Sequence, residues 1–60
     1  PKSREALQEL RSFQPFSDDT AWLNLKSRRQ ANALKTYVQA IQAGKSKQEA
    51  ATAAFRGLRS

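Results

Sequence analysis

The 60-residue chain contains no cysteine, no histidine and no methionine, and only two glycines and two prolines. Without thiols there are no disulfides and no thiolate chemistry, and without imidazole as well nearly every zinc site is excluded. A domain of this length hides only ~60% of the surface that its unfolded chain exposes. The fold therefore stands on packing alone, or on packing plus a partner. A chain free of cysteine fits a reducing compartment. No apolar run approaches the roughly 18 to 20 residues that span a bilayer, and Pro1-Lys2-Ser3-Arg4 lacks the apolar segment of a secretory signal. The expectation is a soluble intracellular protein, cytoplasmic or associated with the nucleoid, with no membrane role. Acid–base catalysis needs positioned titratable groups, and five carboxylates with no histidine offer few of them. Neither enzyme activity nor a metal or cofactor is expected. Pro1 is compatible with a native terminus left by removal of an initiator methionine, although residues 1–60 could equally be one domain of a longer protein.

What the chain has in excess is positive charge, a formal +6. Residues 1–19 carry three bases and four acids, a net −1, and residues 20–60 carry eight bases and one acid, a net +7. The excess lies wholly in the second part. A positive surface concentrates polyanions and speeds their encounter, and nucleic acid is the commonest of them inside cells.

The apolar pattern is helical throughout, and no alternating run supports a strand. Residues 3–13 read as a helix with Ser3 as its cap and Leu7, Leu10 and Phe13 on related faces, stopped by Pro15. Phe13 and Phe16 flank that proline as aromatic anchors of a turn over the core. Ser17 is the expected cap of a helix over 18–25, with Asp18 and Asp19 in its first turn. Ser27 and Gln30 have the spacing of a capping box for a helix running to Ala43. Leu23, Ala31, Leu34, Tyr37, Val38 and Ile41 share one stripe of a continuous helical wheel, whereas Trp22 and Leu25 fall about 120° and 180° from it at ~100° per residue. Either the helix breaks near Lys26, the favoured reading, or one long helix shows a second apolar face to a partner. Gly44 suits the left-handed position that ends a helix, and Ser46 with Glu49 opens a last helix over 47–58 with Ala51, Ala54, Phe55 and Leu58 inward. The fold class expected is all-α, a small bundle of three to four short helices.

Arg28, Asn32, Lys35 and Gln39 recur at offsets of 0, 4, 7 and 11, so they project from one side of the third helix, opposite the core stripe. Arg can donate two bonds to guanine, Asn and Gln can pair with adenine, and Lys neutralises phosphate. On a helix that follows a sharp turn, this set resembles the recognition helix of a helix-turn-helix, with 18–25 as its support. The bland reading is an ordinary solvated helix face. Phosphate contacts are assigned to Lys26, Arg29, Lys45 and Lys47.

Other segments invite shorter readings. Gln48–Ala51 followed by Phe55-Arg56-Gly57-Leu58 looks like the first helix and turn of a helix-turn-helix, beside the plainer reading of a closing amphipathic helix with basic flanks. Gly44-Lys45-Ser46 lacks the glycine five residues earlier that a phosphate loop requires, and reads as a cap and turn. The small residues Ala50, Ala53, Ala54 and Gly57 allow a close helix contact, either within the chain or across a dimer. Trp22 could stack on an unpaired base or pack in the core, core packing being its ordinary use. The expected role is regulatory or architectural binding of nucleic acid, with duplex DNA favoured over RNA and a homodimer as one form. The rival is a helical interaction module, adaptor-like or antitoxin-like, that dimerises or binds an acidic protein.

Overall fold

The computed structural model describes residues 2–14 and 16–59, and the side-chain surroundings of 4–14 and 16–58. Pro15, expected to stop the first helix, lies outside the described residues. Four helices follow one another: α1 (Lys2–Leu10), α2 (Asp19–Asn24), α3 (Ser27–Gln42) and α4 (Lys47–Arg59). There is no strand among the described residues, so the chain is a small all-α bundle. Its radius of gyration is 10.3 Å, against about 10 Å expected of a folded chain of this length.

The break near Lys26 is present. Leu25 (ψ 137°) and Lys26 (ψ 154°) are both extended, and this two-residue joint turns Trp22 inward and Leu25 against the core. The helix starts differ from the expected ones in three places. Ser3 lies inside α1 rather than ahead of it. Asp18, not Ser17, caps α2, because its carboxylate accepts from the backbone N–H of Thr20 and Ala21 and outcompetes a hydroxyl one residue earlier. The Ser27–Gln30 capping box does not form. Lys26 occupies the cap position with no side-chain bond, and Gln30 Nε2 instead donates to the carbonyls of Trp22 (2.8 Å) and Leu25 (3.3 Å). Gln30 thus closes the open end of α2 rather than the start of α3.

The Gly44 signal holds, and of the capping box expected at Ser46 and Glu49 the bond to the serine hydroxyl forms. Gly44 has φ +91°, its N–H donates to the Ile41 carbonyl, and the Lys45 N–H donates to that of Ala40. These are the paired bonds of a Schellman ending. Ser46 Oγ then accepts from Glu49 N at 3.2 Å. Gly44-Lys45-Ser46 is therefore a cap and turn.

The core contains Leu10, Phe16, Trp22 and Tyr37 together with alanines 33, 40, 50, 51 and 54. The buried face of α3 is Ala33, Tyr37 and Ala40, turned about a quarter of a revolution from the expected stripe. Ala31 is exposed and Leu34 and Val38 are only half-buried, while Leu23 is 75% exposed on α2. The cause is the packing of α4, which makes the main contact with α3. Alanines on both helices let the backbones approach closely, so small residues become the most buried, while Val38 is left at the edge of a groove with Glu5, Ala6 and Glu9 of α1. The small-residue row resolves accordingly: Ala50 and Ala54 are buried within the chain. Helix α4 continues to Arg59, so the closing-helix reading of this segment holds and the alternative turn at Gly57 is absent.

Candidate nucleic-acid interface

Helix α3 is held from two sides, chiefly by α4 and next by α1, while α2 lies against it far less. The quarter-turn shift of its buried face leaves the opposite row where the sequence placed it. Arg28, Asn32, Lys35 and Gln39 are all exposed. From Arg28 to Gln39 the row is about 16 Å long at 1.5 Å per residue. Asn32, Lys35 and Gln39 also border a shallow groove against Thr36 and, on α4, Gly57 and Leu58.

Lys26, Arg29, Lys45 and Lys47 are exposed as well, but they do not stand alike. Lys26 and Arg29 sit at the start of α3 beside Arg28. Lys45 follows the Gly44 turn, and Lys47 opens α4. Lys47 Nζ lies 3.2 Å from Glu9 Oε2, so it already has a counter-ion. Among the described residues, Lys26, Arg28, Arg29, Lys35 and Lys45 have no such ion pair.

Most of the acids lie elsewhere, but Glu49 borders the same groove as Lys45. Asp18 caps α2, Asp19 pairs with Arg11, and Glu9 accepts from the Tyr37 hydroxyl as well as from Lys47. Burial foremost, then the Glu9 carboxylate, pushes the Tyr37 phenol up to about 12. The first turns of α1, α2 and α4 each carry an acid, Glu5, Asp19 and Glu49, whereas that of α3 has none. Arg28 and Arg29 instead stand at the positive end of the helix dipole, an unfavourable placement of some 0.3–1 kcal/mol per charge when unscreened. An anion at that end would reverse its sign.

Arg56, read in the sequence only as a basic flank of the last helix, was not among the assigned contacts. It borders a surface groove with Lys45, Gln48, Thr52 and the acid Glu49, and only the chain reversal at Gly44 brings it beside Lys45. Trp22, 9% exposed, is a core residue: its ring meets Phe16 edge-on at 6.2 Å, and the Arg11 guanidinium stands 5.4 Å from its centroid. Among the described residues, no cluster of acidic side chains could hold a metal ion, and no helix is long and apolar enough to cross a membrane.

Comparisons with protein-family models, with curated proteins and with solved structures return no match to this chain.

Proposed function

We propose that the chain is a small basic nucleic-acid-binding domain that lays α3 against duplex DNA, in a regulatory or architectural role without catalysis, inside the cell. The observation that carries this reading is the α3 row: four exposed residues able to meet base edges, beside Lys26 and Arg29, which have no ion pair among the described residues. The unfavourable charge at the start of α3 supports it, because a phosphate there converts a cost into an attraction. Duplex DNA is preferred to RNA because the B-form major groove admits a helix and displays base edges to Arg, Asn and Gln.

Three phosphates met by Lys26, Arg29 and Lys45 set a slope of log K against log salt of about −2.7. Lys47 adds a fourth only by leaving Glu9. A fluorescence-anisotropy titration on duplex DNA at several salt concentrations tests the reading, and absence of binding at low salt or a flat salt dependence overturns it. Asn32→Ala should narrow the gap between preferred and random sequences, whereas Lys45→Gln should weaken all of them alike.

A further inference from the structure

A cleft of about 240 Å³ opens where α2 and α4 meet the start of α3. Phe16, Ala21, Trp22 and Phe55 wall it, Leu25 and Leu58 close it, and Arg29 is its one charged member. Phe16 meets both other rings edge-on, at 6.2 and 6.4 Å with interplanar angles of 78° and 82°. The walls are therefore preorganised by aromatic packing rather than assembled from mobile side chains.

An apolar cavity of ~150 Å³ takes up benzene, so this one admits a single side chain of leucine or phenylalanine size. Phosphate gains nothing from the apolar part of this lining, and the DNA reading uses only Arg29 at its edge. Arg29 adds chemical selectivity. It is exposed, it has no ion pair among the described residues, and its planar fork matches a carboxylate. A +6 chain further favours an acidic visitor.

We propose that this cleft docks an acidic peptide segment of a partner protein, which inserts one apolar side chain among Phe16, Trp22 and Phe55 and sets a neighbouring carboxylate on Arg29. The site contains none of the α3 row; it shares with the DNA reading only Arg29, a phosphate contact there, so an acidic peptide and duplex DNA compete in part.

Trp22, the single tryptophan, reports occupancy directly. The probe is a short synthetic peptide with one leucine between aspartates, compared with versions in which the leucine is alanine or the aspartates are lysines. Saturable change of Trp22 emission is expected with the first peptide and not with the other two. Arg29→Gln should weaken binding about fivefold, the upper range for an exposed ion pair, while Arg4→Gln, an equal change in net charge on α1, leaves it unaltered. Ala21→Leu, which fills the cleft from its own wall, should abolish peptide binding with helicity and DNA affinity intact. That contrast separates this site from the α3 row. The proposal is overturned by an unchanged Trp22 spectrum, by equal binding of the lysine peptide, or by a concentration-dependent dimer abolished by Leu23→Ser, which would assign the cleft to the exposed Leu23 of a second copy.

Discussion

The Tyr37 hydroxyl donates to Glu9 Oε1 at 3.1 Å, and Oε2 of the same carboxylate lies 3.2 Å from Lys47 Nζ. One side chain of α1 thus ties a buried residue of α3 to the start of α4. The two bonds differ in worth. Lys47 is 62% exposed and Glu9 41%, so solvent screens their pairing to a few tenths of a kcal/mol. Tyr37 is 1% exposed, and its bond to an ionised acceptor contributes about 1.5–3 kcal/mol.

The phenol gives this arrangement a pH signature. Burial, and after it Glu9, holds Tyr37 neutral up to about 12, against roughly 10 in the unfolded chain. The folded state favours the protonated form, so the contribution is fully present below about pH 10. It is lost as pH rises toward 12. Ultraviolet titration of this single tyrosine should show that late ionisation, and Glu9→Gln should move it down without restoring the ordinary value, because burial remains. Tyr37→Phe should flatten the alkaline loss of stability. An ordinary tyrosine titration in the wild-type chain would falsify the arrangement.

The caps predict opposite outcomes for residues of similar type. Asp18→Ala should cost about 1 kcal/mol and Ser17→Ala nearly nothing. Gln30→Ala should cost about 1 kcal/mol by freeing the carbonyls at the C-terminal end of α2, while Ser27→Ala stays within ~0.5 kcal/mol. Urea denaturation of the four variants checks this, and a larger loss for Ser27→Ala than for Gln30→Ala would restore the capping box.

The two glycines should respond with opposite signs. Gly44→Ala places a Cβ at φ +91° and should destabilise by about 1–2 kcal/mol. Gly57 is helical, and a Cβ there would meet Thr36 Oγ1 at an ordinary 3.8 Å. Gly57→Ala should therefore stabilise by about 0.5–1 kcal/mol. Thermal melts of both variants decide the matter, and a loss in each would mean that Gly57 is sterically required.

Arg11 organises the segment between α1 and α2. Its Nε donates to the Phe16 carbonyl at 2.7 Å, its guanidinium pairs with Asp19, and it stands over the Trp22 ring. Arg11→Lys keeps the charge but loses the fork geometry, and should cost about 1 kcal/mol with an altered Trp22 emission. Unchanged emission and stability would show that the three contacts are incidental.

Much of the bundle was legible in the sequence because helix signals are local. Gly44, Ser46 and the step between Leu25 and Lys26 mark the boundaries, and the α4 stripe of Ala51, Ala54, Phe55 and Leu58 packs inward. The face of α3 was less so. A wheel gives weight to large apolar residues, yet the closest helix pair buried Ala33 and Ala40 and left Leu34 half-covered, which depends on α4 and cannot be read from α3 alone. The exposed row survived because the shift moved the core edge without crossing it. The Glu9–Lys47 pair and the Lys45–Arg56 groove join residues far apart in sequence, and no spacing rule finds them.

The location of the DNA contact is the central claim, and amide chemical-shift mapping of the labelled chain on addition of duplex DNA tests it most directly. The largest shifts should follow residues 26–39 and Lys45, with α1 and the segment to Asp19 nearly unmoved. Shifts centred on α1 and α2, with the α3 row silent, would contradict the account.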